Sequence, residues 1–440
     1  MLSDPIAALA TPPGRSALAV VRVSGRGAFD VAARVIEGFR TDRPRVATLA
    51  TFRQAGEPID RGLYIVFPGP QSYTGEDMVE LSCHGGQVAP ARLLAALHAA
   101  GARHATPGEF TRRAVLNGKL DLVQAEAVGE LIDAVAPAQA RAALRRLDGG
   151  LSQRIAELRE SMVELQALLS YEIDFPGEDD GPVPPERIAA AVEAARVRVA
   201  RFLATAPSAD RMRQGALLVL AGRPNAGKSS LFNALLGTDR VLVTEIPGTT
   251  RDAIEAHTDF LGWPVRLVDT AGLAQSEDRL ERMGIEVSRR YLSAADLVLL
   301  CVEPGRALDA EEAAVAGEQG ALVVRTKRDL ANGAVEGLAV SSVTGEGIDE
   351  LRRAAAERMF GDRIALGDLE PTLGSERHRE AVARAAGALM DAAEHLVPGG
   401  DAVLVSHHVR EATLALDELV GAVDVEEVLG KVFAGFCVGK

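Results

Sequence analysis

Cysteine is scarce in this chain, with Cys83, Cys301 and Cys437 the only three in 440 residues. An odd number at wide spacing excludes a disulfide framework and a CxxC-type metal cluster, and implies a reducing compartment. Long apolar runs are missing as well. "SALAVVRV", "ALLVLAG" and "ADLVLLCV" are strand-length, far below the ~18 residues that suggest a membrane span. The N-terminal stretch lacks the cationic segment and apolar core of a secretory signal. The expectation is therefore a cytoplasmic protein with no membrane segment. Basic charge is also in deficit, with 48 Lys and Arg against 62 Asp and Glu and a net charge of -14. Such a balance argues against a surface that coats nucleic acid or anionic lipid as a whole, while leaving room for a local basic patch. Internal repeats and low-complexity tracts are absent too.

Apolar residues make up 47% of the composition, ample for burial, and the length suggests about three domains of ordinary size. From Ala17 to about Leu120, short β-rich runs such as "LAVVRV", "GLYIVF" and "MVELSC" alternate with helical stretches such as "APARLLAALHAAG", which predicts an α/β domain. From Leu120 to Arg213, long Ala/Leu-rich stretches at helical period predict a helical segment, interrupted by the acidic, Pro-rich "DFPGEDDGPVPP". Between Gly215 and about Phe360, the strands "ALLVLAG", "PVRLVDT", "DLVLLCV", "ALVVRTK" and "GLAVSS" alternate with helices, the pattern of a mostly parallel, doubly wound sheet. Helical periodicity returns after Leu369. The simplest reading inserts the second α/β unit into one helical domain, giving residues 1–119, 120–213, 214–365 and 366–440 as the successive segments.

"GRPNAGKSS" follows an apolar strand and opens a helix, and its spacing, Gly222 then Gly227-Lys228-Ser229, is a complete phosphate-binding P-loop. Glycines let the backbone of Asn225, Ala226 and Gly227 wrap the phosphates. The helix N-terminus, with Ser230 in its first turn, favours the anion. Lys228 supplies a cation and the Ser229 hydroxyl is a ligand for Mg2+. Forty residues on, "DTAG" ends another strand, where Asp269 can hold Mg2+ through water and the Gly272 amide can meet the γ-phosphate, with Thr270 and Ala271 between them. The choice of base falls to "TKRD", where Asp329 accepts from the guanine N1-H and exocyclic amine, donors that adenine does not offer there. Thr326 and Lys327 flank it, and Ser341 and Ser342 follow the next strand. Thr326 stands where GTPases usually carry Asn, and Ser342 where they carry Ala.

With these residues assembled, the chain resembles the bacterial tRNA-modification GTPase family MnmE (TrmE) over nearly its full length. The stretches that carry the likeness are "ATPPGRSALAVVRVSG", "PGPQSYTGEDMVELSCHGG", "PGEFTRRAVLNGKLDLVQAEAV", the P-loop, "VTEIPGTTRD", "DTAGL" and the closing "FCVGK". The resemblance implies a folate-binding N-terminal α/β domain that also dimerises the protein, a discontinuous helical domain, and an inserted Ras-like doubly wound G domain. It further implies hydrolysis activated by K+, with Asn225, Thr244, Ile246 and Thr249 as ligands, and Thr250 on Mg2+. Leu273 occupies the place of the Ras-type Gln, and Glu281 becomes the catalytic group that orients water. By itself Glu281, among Glu277, Asp278, Arg279 and Arg282, reads equally as a solvated helix charge. "CHGG" invites a metal reading of Cys83 and His84, which is rejected because no second pair accompanies them.

The resemblance also implies that Arg22, Glu80, Lys119 and Lys440 surround 5-formyltetrahydrofolate or a related folate. Cys437 is implied to be needed for a reaction on the tRNA wobble uridine, performed with MnmG (GidA), an FAD-dependent partner, in a heterotetramer. The terminal Cys-Val-Gly-Lys is a poor prenylation box, and Phe433 and Phe436 are expected to anchor the tail instead. The competing reading is a P-loop GTPase switch in ribosome assembly, or on another RNA or membrane target, which would need neither folate nor FAD.

Overall fold

The run GRSALAVVRVS forms strand β2 (Gly14–Ser24), in which Ala19, Val21 and Val23 enter a core while Arg22 keeps to the other face. This is the period-two pattern of a strand whose two faces meet different surroundings. The computed structural model describes residues 4–174, 184–237, 254–269, 290–318, 320–331, 337–361, 373–397, 401–421, 432–433, 436 and 439. It divides into two compact units, one made of residues 1–129, 152–160 and 413–440, the other of 130–151 and 161–412.

In the first unit, β2 is joined by β1 (Ile6–Leu9), β3 (Thr48–Gln54), β4 (Glu57–Phe67), β5 (Met78–Gly86) and β6 (Arg103–His104) in the order β3-β4-β5-β2-β1-β6. Every pairing is antiparallel except β1 with β6. Helices α1 (Ala28–Val35) and α2 (Val88–Ala99) pack on the face that carries Val21, Val23, Phe52, Tyr64 and Leu81. The α/β prediction for this region holds, with β1, β3 and β6 added to the strands legible in the sequence.

Helix α3 (Glu109–Leu116) brings in Arg113, whose side chain is 1% exposed. Its guanidinium donates to the Asp4 carbonyl at 2.9 Å, to Glu76 at 3.1 Å and to Glu109 at 2.9 Å. A buried cation is tolerated only with partners of this kind. Helix α4 (Leu122–Asp133) starts on a reciprocal cap, the Gln124 amide donating to Asp121 and the Asp121 amide to the Gln124 side chain.

Phe433 is buried against Leu122 and Ala125, and Phe436 meets it edge-on at 5.2 Å while lying over Gly129. Gly439 has φ 100°, and a Cβ there would fall 2.3 Å from the Leu9 carbonyl oxygen, so the backbone passes the end of β1 where no side chain fits. The two Phe therefore anchor the tail as expected.

The Ala/Leu-rich stretch divides at Asp148 and Gly149 into α5 (Pro137–Leu147) and α6 (Gly150–Asp174), of which residues 152–160 belong to the first unit; the second unit continues with α7 (Pro185–Leu203) and α8 (Ala206–Gln214). The sheet comprises β7 (Ala216–Ala221), β8 (Ile254–Phe260), β9 (Trp263–Asp269), β10 (Leu297–Val302), β11 (Leu322–Arg325) and β12 (Leu338–Ala339), in the order β12-β11-β10-β7-β9-β8. All neighbours are parallel except β8 with β9. β8 was not among the expected strands. It is an edge strand returned by a two-residue turn, Leu261-Gly262, with φ 54° and 81°. Helices α9 (Lys228–Leu236), α10 (Ala310–Glu318) and α11 (Ile348–Phe360) flank the sheet, and Trp263 stacks on Phe360 at 4.9 Å.

After the sheet come α12 (Glu376–Glu394) and α13 (Ala402–Val420). α12 packs on α7, and Arg379 donates to Asp210 at 3.3 Å. Helices from before and after the sheet thus share one packing, as an inserted α/β unit requires. Among the described residues no helix is long and apolar enough to cross a membrane.

The Arg113 cluster makes stability depend on acid pH. Burial alone would raise the Glu109 pKa, but bonds from Arg103, the Thr106 amide and Arg113 outweigh it and hold the carboxyl at about 2, below the ordinary 4.5. A depressed carboxylate stabilises the fold above its ordinary pKa, and that contribution fades as pH falls from 4.5 towards 2. Glu109→Gln should cost on the order of 3 kcal/mol at neutral pH, read by hydrogen exchange in β1 and β2. The gap to wild type should narrow progressively as pH falls from 4.5 towards 2; a gap constant with pH would show that Glu109 is not the titrating group.

Candidate functional site

Strand β7 is buried throughout, and at its end Gly222 turns the chain with φ 136°. A Cβ at Gly222 would lie 2.4 Å from the Cys301 carbonyl oxygen, so only glycine lets the loop leave the sheet beside β10. Asn225 (φ 62°) and Gly227 (φ 86°) complete the loop, and α9 begins at Lys228. The Lys228 ammonium is nearly enclosed and donates to the Gly222 and Arg223 carbonyls, each at 2.8 Å. Burial pulls its pKa down, opposed by Cys301 and Asp269. Burial pushes the neighbouring Cys301 thiol up to about 12, which leaves it an apolar filler beneath the loop.

The Ser229 hydroxyl donates to Asp269 Oδ2 at 2.6 Å, joining the start of α9 to the end of β9. A hydroxyl and a buried carboxylate facing each other beside an ammonium fit Mg2+ with its phosphate ligands: both are hard oxygen donors, and one carboxylate with one hydroxyl leaves the rest of an octahedron to phosphate and water. Ser230 lies exposed in the first turn of the same helix.

The residues expected to read the base gather at the next strand ends. Thr326 is buried and its hydroxyl donates to the Ala226 carbonyl at 2.7 Å, tying the end of β11 to the P-loop. Lys327 follows with φ 55° and pairs with Glu303. Asp329 accepts from the Ser341 hydroxyl at 2.6 Å, while the amides of Val343 and Thr344 donate to that hydroxyl at 3.2 and 3.1 Å. The Asp329 carboxylate is therefore oriented from the β12 loop. Ser342 lies one residue beyond Ser341 in the same loop. Sequence reasoning missed Glu303 as the partner of Lys327; its position directly after β10 was the available signal.

In the first unit, Arg22 and Glu80 sit opposite each other on β2 and β5, with Arg22 Nε donating to Glu80 at 2.7 Å and its guanidinium 5.8 Å from the Tyr73 ring centre. Two residues past Tyr73, a Cβ at Gly75 would lie 3.3 Å from the aliphatic stem of Lys119, so the backbone there runs close beside that side chain. Ala8 of β1 pairs with Arg22, and Gly439 abuts Leu9. The loop around Tyr73, the Arg22–Glu80 pair and Lys119 thus border one another, while Gly439 reaches the end of β1. Two half-exposed, oppositely charged groups beside an aromatic ring fit a flat heterocycle with paired donors and acceptors, as in a folate. Cys83 and His84 point to opposite faces of β5, the thiol buried and pushed up to about 11, the ring exposed against Asp60. They make no joint metal site.

Thr244, Ile246, Thr249, Thr250, Thr270, Ala271, Gly272, Leu273, Glu281, Cys437 and Lys440 lie outside the described residues.

A family model described as the GTP-binding protein TrmE N-terminus matches residues 5–119, and one described as the MnmE helical domain matches residues 122–437. The tRNA modification GTPase MnmE of Halorhodospira halophila is 43% identical over 456 residues, spanning 100% of this chain and 96% of its own. The protein of that name from Thermus thermophilus is 43% identical over 445 residues and 100% of both chains, and that of Aquifex aeolicus 38% identical over 454 residues and 100% of both. Among solved structures, the G domain of the T. maritima FeoB iron transporter is similar at 28% identity over 32% of this chain and 98% of that chain, with a TM-score of 0.25. On the two matched models and the full-length relatives, the chain belongs to the MnmE family of tRNA modification GTPases.

Proposed function

We propose that this chain hydrolyses GTP in the modification of the wobble uridine of tRNA. In this reading hydrolysis is activated by K+, a folate bound to the first α/β domain supplies the one-carbon unit, and MnmG, the FAD-dependent partner, completes a carboxymethylaminomethyl-type group at C5. The observation that carries the GTPase part is the convergence of three chemistries at one edge of a parallel sheet. Lys228 and the α9 N-terminus meet phosphate, Ser229 and Asp269 face each other where Mg2+ is held, and Asp329 is braced by Ser341 for the base. Ligands bind at this edge of doubly wound sheets for the same geometric reason.

Thr326 does the work of tying the base loop to the P-loop through a single hydroxyl. This supports guanine selection by Asp329 without the usual Asn. Arg223, the arginine within the P-loop, is paired with Asp309 at 2.6 Å, so the developing charge on the transferred phosphate falls to a monovalent cation near Asn225. Thr244, Ile246 and Thr249 complete that proposed site, Thr250 joins Ser229 on Mg2+, and Glu281 orients the water. The folate reading rests on Arg22, Glu80, Lys119 and the approach of Gly439, with Lys440 adjoining. The same reading takes 1–119 as the folate and dimerisation domain, 120–213 with 366–440 as the helical domain, and 214–365 as the G domain. In it the protein acts in the cytoplasm as a homodimer and forms a heterotetramer with MnmG.

GTP turnover should rise at least ~100-fold when K+ replaces Na+ at equal ionic strength, and Glu281→Ala should lower kcat in K+ with nucleotide affinity nearly unchanged. Equal rates in the two salts would remove the cation from the mechanism, and a loss confined to binding would remove Glu281. Asp329→Asn should shift preference from guanine towards xanthine nucleotides in competition binding, because the amide matches the altered edge of xanthine; unchanged preference would place the base elsewhere. Deleting residues 437–440 should abolish tRNA modification while GTP hydrolysis stays within about twofold, since the phosphate, metal and base contacts lie in another domain. Normal levels of modified tRNA from that variant would dismiss the tail from the chemistry.

A further inference from the structure

Helix α13 carries His407, His408 and Glu411, residues to which neither the phosphate site nor the folate site gives a role. His407 and Glu411 are four apart and share a helix face, and His408 precedes Glu411 by three, so all three project to one side. The single carboxylate addresses both rings. Its Oε1 lies 3.6 Å from His407 Nε2 and its Oε2 lies 3.0 Å from His408 Nδ1.

All three candidate donor atoms lie within 4.8 Å of one another. A tetrahedral ion with bonds of about 2.0–2.1 Å spaces its ligands roughly 3.4 Å apart, so small rotations of exposed side chains close the set. His408 is the most sheltered of the three. His395, just beyond α12, lies parallel against it with ring centres 5.5 Å apart and 3° between planes, which limits the directions the His408 ring can take. Ring orientation imposed by a neighbour is what makes imidazoles effective ligands.

We propose that His407, His408 and Glu411 bind one divalent transition-metal ion of the zinc class, through two imidazole nitrogens and a carboxylate, with the fourth position open to water or a further ligand. Two nitrogens with one oxygen favour zinc over the hard cations Mg2+ and Ca2+, which prefer all-oxygen cages. The ring nitrogens must be neutral to bind, so affinity falls on acidification.

The test is calorimetric titration of Zn2+ into the chelator-stripped full-length protein loaded with Mg2+ and GDP. Wild type should show a site that weakens at least tenfold in His407→Ala and in Glu411→Gln, and weakens again for wild type at acid pH. Zn2+ should raise the melting temperature of wild type and leave that of the His407→Ala/Glu411→Gln double variant unmoved. All variants should keep wild-type GTP hydrolysis, which shows that they are folded. Equal zinc binding by wild type and the double variant, with hydrolysis intact, would overturn the site and leave an ordinary cluster of ion pairs.

Discussion

The nucleotide end of the sheet is organised around one enclosed cation. Lys228 lies almost out of water, and an ammonium so placed must be surrounded by oxygen or lose its charge. The carbonyls of Gly222 and Arg223 supply that oxygen, which fixes the curl of the loop before any ligand arrives. The curl in turn demands a residue without a Cβ at Gly222, because the β10 backbone at Cys301 is already there. It also presents the Ala226 carbonyl to Thr326, so β11 and the base loop take their position from the same cation. The P-loop and the loop after β11 are therefore mechanically joined, and the joint is made on backbone oxygen.

The first unit solves a related problem with carboxylates instead of carbonyls. Arg113 is the largest fully buried side chain among the described residues, and Asp4, Glu76 and Glu109 answer its charge from three separate stretches of chain. Those stretches border the loop that holds Tyr73 and Gly75, so the cluster sets the position of the loop next to Arg22 and Lys119. Arg22 and Glu80 are only partly enclosed, and their pairing leaves polar edges free for a ligand. A fully buried cluster fixes position, whereas the partly exposed Arg22–Glu80 pair keeps polar surface in reach of solvent, which the proposed folate reading uses.

Much of this was readable from residues. The P-loop, Asp269, Asp329 and the five parallel strands could be found because each has a short, local signature: glycine spacing, a charged residue ending an apolar run, a period change from two to nearly four. β8 was not found because its partner is supplied by the neighbouring strand, and a Leu-Gly turn is a weaker marker than Asn-Gly. The Ser341 brace on Asp329 and the Arg113 cluster were illegible for another reason. Apart from Glu109, four residues before Arg113 on the same helix, their partners are separated by 12 to 109 residues in the chain, and charge or hydroxyl content alone does not say which groups will meet. Arg22, Glu80 and Lys119 could be named only through family likeness, because a surface-type charge in a strand carries no mark of its role.

Phe433, Phe436 and Gly439 give the first α/β unit a dependence on the order of synthesis. Leu122, Ala125 and Gly129 leave the ribosome some 300 residues before the aromatic side chains that cover them. At ordinary elongation rates that interval is roughly 15–60 s. Through it the sheet can form while an apolar shelf on α4 stays open. Closure of that shelf then becomes a late checkpoint, passed only by chains translated through to the aromatic pair.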